Sequence, residues 1–195
     1  MSEKRRIVTV TRKTKETDIE LEMDLDGGPV DIKTGLGFFD HMLTALATYA
    51  GWGLMIKADG DLHVDSHHTV EDVGLVLGEA LSTALGDYSN HARFGSSLTP
   101  MDDALAEVAV DAGRRPFLHF EVQWPQAICG EFELVLVEEF WRSVSQRGGL
   151  TLHIMGRHGG NSHHLAEAVF KGVGRALAQS LAPRSGGVLS TKGVL

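Results

Sequence analysis

Residues Ile19 to Asp26 alternate apolar Ile19, Leu21, Met23 and Leu25 with acidic Glu20, Glu22, Asp24 and Asp26. A period of two is the mark of a strand with one wet face, so this segment predicts a half-buried sheet. Segments 54–58, 61–65, 104–110, 117–123 and 150–155 also read as short strands. By contrast, 38–50, 67–85, 133–147 and 163–182 carry apolar residues at helical spacing. Gly27-Gly28-Pro29 and residues 182–187 (Ala-Pro-Arg-Ser-Gly-Gly) are the clearest loops. Helices falling after groups of strands predict an α+β fold, with helices packed on one face of each sheet and two halves meeting through those helices.

The halves are visible in the chain itself. Gly53-Leu54 recurs 96 positions later as Gly149-Leu150, and the same offset relates Gly60 to Gly156, Ser66-His67-His68 to Ser162-His163-His164, and Glu71 to Glu167. It continues through Gly78 and Gly174, Ala80-Leu81 and Ala176-Leu177, and Leu85 and Leu181, with no gap. A duplication explains this most simply, giving half-repeats over residues 1–92 and 93–195 that share one compact unit.

Composition narrows the function. The chain of 195 residues, 43% hydrophobic and 23% charged, is long enough to bury a core without disulfide staples. Its 18 Lys and Arg against 26 Asp and Glu give a net charge of −8, which argues against general affinity for nucleic acid or an anionic membrane. The lone Cys129 can form neither an internal disulfide nor a Cys-x-x-Cys zinc site. No apolar run is long enough for a spanning helix, and the start MSEKRRIVTV lacks the apolar core of a secretory signal, so a cytoplasmic protein is expected.

Ten histidines are an unusual load, and the repeated pairs concentrate their interest. Residues four apart share a helix face, so His67 projects with Glu71 and His163 with Glu167. The adjacent His68 and His164 are turned about 100° away and must serve another centre. Two pseudo-equivalent metal sites follow, with exchange between halves: His67 and Glu71 joined by His164, and His163 and Glu167 joined by His68. His41, on the neighbouring helix, is a candidate to complete one shell, and Glu139 stands in the equivalent stretch of the second half. Nitrogen and carboxylate donors without thiolate suit Mn²⁺, Fe²⁺, Ni²⁺ or Zn²⁺, and an open octahedral site favours manganese. The unrepeated His63, His91, His119, His153 and His158 read as structural or surface residues.

The stretches Thr34–Leu43 (TGLGFFDHML), Gly60–Asp65 (GDLHVD), His67–Asp72 (HHTVED), Pro100–Leu105 (PMDDAL), His163-His164 with Glu167, and the ending Ser190-Thr191-Lys192-Gly193-Val194-Leu195 resemble the imidazoleglycerol-phosphate dehydratases of histidine biosynthesis. The resemblance runs along nearly the whole chain. It implies two halves, each a four-stranded sheet with helices, the helices sandwiched between the sheets as in the second domain of ribosomal protein S5. It also implies a homo-oligomer of about 24 subunits with two Mn²⁺ per active site at subunit interfaces. Carried over residue by residue, the resemblance assigns His41, His68, His163 and Glu167 to one manganese and His67, Glu71 and His164 to the other. Glu139 stands where some members place a further histidine ligand. Phosphate contacts are implied at Arg93, Arg115, Lys171 and Lys192, with Ser190 and Thr191 as hydroxyl donors, and substrate contacts at Glu16 and His41. The chain departs from the pattern at Tyr49, at Asn90-His91 in place of Gly-Ile, and at Arg114 in place of a glycine.

The implied reaction removes water from a diol phosphate whose C–H is not acidic, forming imidazole acetol phosphate. Metal ions on both ring nitrogens would stabilise an imidazolate able to expel the neighbouring hydroxyl. Glu16 is the expected group for acid–base work, with a metal-bound hydroxyl as the alternative partner, and His68 and Glu167 are the other catalytic candidates. The departures keep open a related metal-dependent lyase acting on another azole or polyol phosphate. A non-catalytic metal-binding shell is the remaining alternative.

Overall fold

The computed structural model describes residues 5–192. In chain order the elements are β1 (Ile7–Lys13), β2 (Thr17–Asp24), β3 (Val30–Lys33), α1 (Gly37–Ala50), β4 (Gly53–Gly60) and α2 (His67–Leu85). The second half repeats the order as β5 (Phe94–Met101), β6 (Ala104–Asp111) and β7 (Phe117–Glu121), then α3 (Leu136–Gly148), β10 (Thr151–His158) and α4 (Ser162–Ser180). The short pair β8 (Ile128–Cys129) and β9 (Phe132–Glu133) is inserted before α3. Each half forms one four-stranded sheet, ordered β1-β2-β4-β3 and β5-β6-β10-β7. In both sheets only the last pair, β3 with β4 and β7 with β10, is parallel.

The alternation in β2 does what its pattern demands. Ile19, Leu21 and Met23 are fully buried while Glu20 and Glu22 face outward, and Leu21 stands opposite Val10 on β1 and Ile56 on β4. The helices carry their own apolar stripes onto the inner faces: α2 lies on β1 and β2, and α4 on β5 and β6. Each helix also packs on one from the other half, α1 on α4 and α2 on α3, so the helices lie between the two sheets. At the centre, Phe140 meets Phe39 edge-on at 5.2 Å and stacks on Phe170 at 5.7 Å, with Trp141 against Phe170 at 5.0 Å.

The repeated glycines explain how closely the halves approach. A Cβ on Gly78 would stand 2.8 Å from the Val144 carbonyl on α3, and one on Gly174 would stand 2.6 Å from the Leu46 carbonyl on α1. Both separations are below any real carbon contact, so these two related positions let the α2–α3 and α1–α4 backbones touch.

Three sequence expectations need correction. Residues 61–65 form turns, not a strand: β4 ends at Gly60 opposite Thr17, where β2 begins, so no neighbour remains to pair with. Leu62 and Val64, the apolar half of the apparent alternation, are exposed. The third helix starts at Leu136 and not 133, because Phe132–Glu133 pairs with Ile128–Cys129 in a hairpin turned by Gly130 at φ 62°. Strands β1, β3 and β5 lay outside the expected segments. They are the edges of their sheets, where only one neighbour imposes a pattern, and β5 carries Gly95, Ser96, Ser97 and Pro100.

Candidate active site

The two histidine pairs open α2 and α4. Asn161 caps α4, its side chain accepting from the His163 backbone N–H at 2.9 Å, and Asp65 takes the matching N–H of His67 at 2.8 Å. One turn further, His67 Nε2 lies 3.7 Å from Glu71 and His163 Nε2 lies 3.5 Å from Glu167. Because α1 packs on α4, His41 comes to the same place, its Nε2 3.8 Å from Glu167. The ligand atoms of His41, His163 and Glu167 all fall within 4.8 Å of one another. Two imidazoles and one carboxylate converging in this way fit a divalent first-row metal.

Glu167 is the buried member of that cluster, and Lys171 Nζ donates to it at 2.8 Å. Burial alone would push its carboxyl pKa up, but the Lys171 hydrogen bond, the ammonium charge and the two histidines outweigh it and hold the pKa below the ordinary value. The carboxylate is thus kept ionised and ready to ligate. Lys171 also sits over the Tyr49 ring at 5.1 Å, and within one chain it does not line the cavity that holds Arg93 and Arg115.

The adjacent histidines point elsewhere, as their angular offset requires. His68 Nδ1 lies 3.0 Å from Asp61, with its Nε2 3.9 Å from Glu16. His164 Nδ1 lies 2.6 Å from Asp103, with its Nε2 3.6 Å from Asp102. In each case one carboxylate fixes the Nδ1 side and raises the imidazole pKa, and Nε2 faces outward, the nitrogen left for a metal once its proton is displaced. Glu16 lies on the turn between β1 and β2, and Asp102 on the turn between β5 and β6, so the two hairpin tips do equivalent work. Asp61, Asp102 and Asp103 were given no role from sequence. Their occurrence beside each histidine partner at a strand end was the signal that could have found them.

Within one chain, His41, His163 and Glu167 are the only such group among the described residues; His68 does not join them, nor do His67, Glu71 and His164 gather. Glu139 instead faces Arg142 at 3.7 Å.

A separate cavity of about 780 Å³ lies at the end of the second sheet, lined by Arg93, Arg115 and the segment 188–192. Asp111 holds both arginines: Arg93 donates from Nε at 2.7 Å and from a terminal nitrogen at 3.1 Å, and Arg115 donates at 3.0 Å. Arg93 also donates to the Leu189 carbonyl at 2.5 Å, tying the C-terminal segment to the cavity. Ser190, Thr191 and Lys192 therefore share its wall with the two guanidiniums, a donor set suited to an oxyanion. Gly193, Val194 and Leu195, the end of the terminal motif, lie outside the described residues.

The sequence profile described as Imidazoleglycerol-phosphate dehydratase matches residues 34–177. The chain belongs to the imidazoleglycerol-phosphate dehydratase family. Relatives of that name include one from Acidiphilium cryptum, 51% identical over 194 residues covering 97% of this chain and 99% of the relative. Another, from Roseobacter denitrificans, is 53% identical over 191 residues covering 96% and 98%. Among solved structures, imidazoleglycerol-phosphate dehydratase from Staphylococcus aureus superposes with a TM-score of 0.83 at 38% identity, covering 91% of this chain and 99% of that one. The Pyrococcus furiosus enzyme, solved in complex with (S)-C348, gives 0.85 at 41% identity, covering 95% and 100%. As a member of this dehydratase family, the protein is a hydro-lyase of α+β architecture with two repeated halves. No helix among the described residues is long and apolar enough to cross a membrane.

Proposed function

We propose that this dehydratase converts imidazoleglycerol phosphate to imidazole acetol phosphate in histidine biosynthesis, in the cytoplasm, with manganese as its metal. The observation that carries the reading is the convergence of His41, His163 and Glu167 on one point at the mouth of α4, beside Lys171. His41, His68, His163 and Glu167 would hold one ion and His67, Glu71 and His164 the other, with Glu139 on α3 the further donor to the second. Since a single chain gathers only His41, His163 and Glu167 among its described residues, the reading includes a homo-oligomer, of 24 subunits by the family resemblance, in which neighbouring chains complete both sets. When bound, the two ions supply Lewis-acid withdrawal of electrons from the nitrogens of an imidazole ring.

The chain's own groups divide the remaining work. Arg93, Arg115, Lys171, Ser190, Thr191 and Lys192 bind the phosphate and anchor the substrate, brought together in the assembly. Lys171 keeps Glu167 ionised and in place. Glu16, exposed on its hairpin and facing His68, takes up and returns the protons moved between the carbon and hydroxyl positions. Asp61 and Asp103 fix the ring orientation of His68 and His164.

The deciding experiment is turnover of imidazoleglycerol phosphate by protein stripped with chelator and then titrated with Mn²⁺. Activity restored in a curve saturating near two ions per chain is the expected result. Metal binding at that ratio without turnover would move the function to another azole or polyol phosphate.

A further inference from the structure

Beside the arginine cavity lies a cluster of Tyr88, His91 and Arg114, of which Arg114 also reaches the cavity wall. His91 is 4% exposed, and its Nε2–H donates to the Ala112 carbonyl at 2.9 Å, while Nδ1 is buried without a partner. The Ala112 N–H in turn donates to the Arg93 carbonyl at 2.9 Å, so the peptide units of Ala112 are pinned on both sides by the 91–93 segment. Asp111, which carries both cavity arginines, is the next residue.

Two further side chains lock this arrangement. Tyr88 meets the His91 ring edge-on at 5.8 Å, and its hydroxyl donates to the Gly148 carbonyl at 2.7 Å. Arg114 stands at φ 59°, a left-handed conformation that a glycine adopts freely and an arginine does not. Its guanidinium covers the Tyr88 ring at 5.0 Å and donates to the Gly86 carbonyl at 3.3 Å, contacts no glycine could make. The turn thereby sends Arg114 back over Tyr88 and Arg115 forward to Asp111.

We propose that Tyr88, His91 and Arg114 form a buttress that presets the anion-binding geometry of Arg93 and Arg115 through Ala112 and Asp111, with His91 its positioning residue. This rests on the reading of that cavity as the phosphate site. An isoleucine at position 91 fills the space but leaves the Ala112 carbonyl without its donor, so the preset state depends on the imidazole N–H.

The test uses the assembled, Mn²⁺-loaded enzyme, with inorganic phosphate as a binding probe and as an inhibitor competing with substrate. His91→Leu is expected to raise KM and weaken phosphate binding about fivefold each, with kcat within about twofold of the parent. His91→Gln, whose amide can donate to the same carbonyl, is expected to recover most of the loss. Arg114→Lys keeps a cation at the cavity wall, which Arg114 lines, but removes the guanidinium stacked on Tyr88, and should weaken phosphate binding about twofold. Unchanged phosphate affinity in both His91→Leu and Arg114→Lys would overturn the buttress, as would His91→Gln behaving like His91→Leu. If Arg115→Ala also left phosphate binding unchanged, the phosphate reading of the cavity would fall and the buttress with it.

Discussion

His164 Nδ1 lies 2.6 Å from the Asp103 carboxylate, as His68 Nδ1 lies 3.0 Å from Asp61 in the other half. The Asp103 carboxyl is drawn down to about 2 by the His164 hydrogen bond and the Gly160 backbone N–H, so it remains an anion at any working pH. The same hydrogen bond raises the His164 pKa, so a metal must displace a proton; with Nδ1–H held by the anion, Nε2 is the nitrogen left to meet it.

Asp103→Asn is therefore expected to weaken metal affinity about tenfold while leaving the fold intact, because the amide can orient the ring by either tautomer. Competition against a calibrated chelator measures this. An affinity equal to the parent would show that the ring is oriented by something else.

Glu167→Gln should have a larger effect. It removes the carboxylate of the three-residue cluster and leaves Lys171 without its anion in a buried place. Activity should fall by at least about a thousandfold, the scale of losing a central charged group. Metal removal from the parent should lower the unfolding temperature, since an ion at about 100 times its dissociation constant stabilises the native state by about 2.7 kcal/mol. That shift should shrink in Glu167→Gln, as read by thermal melts with and without Mn²⁺.

Asp111→Asn separates the two cavity arginines from their shared anion. With the Arg93 and Asp111 side chains only 10% and 14% exposed, breaking this pair should cost about 2 kcal/mol, below the range for a fully buried pair. Urea unfolding measures the loss, and KM for the phosphorylated substrate should rise while kcat changes less.

Acid should act on His91. Burial pushes its pKa below the ordinary 6.5, with Arg93 and Arg6 adding to the shift and the Ala112 hydrogen bond and Asp111 opposing it. Its folded-state pKa is thus depressed, so as pH falls through 6.5 the unfolded chain takes up a proton that the folded chain refuses, and the stability associated with neutral His91 is lost. The stability advantage of the parent over His91→Leu should accordingly be greater at pH 7.5 than at pH 5. Equal differences at both values would show that His91 is protonated in the fold.

Packing gives the last prediction. Gly174→Ala places a Cβ 2.6 Å from the Leu46 carbonyl, so α1 and α4 must move apart. The expected cost is about 1–3 kcal/mol. Since α1 carries His41 and α4 carries His163 and Glu167, metal affinity should fall along with the melting temperature, measured on the same sample.

Strand β2 and the spans of α1, α2 and α4 were legible because one face of each is pressed on the core and the apolar period records it. The histidine and glutamate spacing within a turn was legible for the same local reason, and the offset of 96 positions showed it twice. What local pattern could not reveal was pairing. Residues 61–65 alternate like a strand and fail to be one because β2 begins at Thr17, opposite Gly60, and offers no partner beyond it, a fact that no feature of the segment itself carries. Strands β1 and β5 escaped notice because β1 ends in the polar run Thr11-Arg12-Lys13 and β5 carries Gly95-Ser96-Ser97 near its start, so neither has a sustained apolar alternation.

The same division holds for the site. The sequence by itself determined that His67 goes with Glu71 and His163 with Glu167, since 3.6 residues per turn fix those neighbours before any tertiary contact forms. Only the tertiary structure decided that His41 joins Glu167, that Asp61 and Asp103 hold the adjacent imidazoles, and that Lys171 pairs with Glu167 within one chain. Those relations depend on helices packing across the two halves and on hairpin tips folding back over helix starts, contacts between residues far apart in the chain whose geometry no local period encodes.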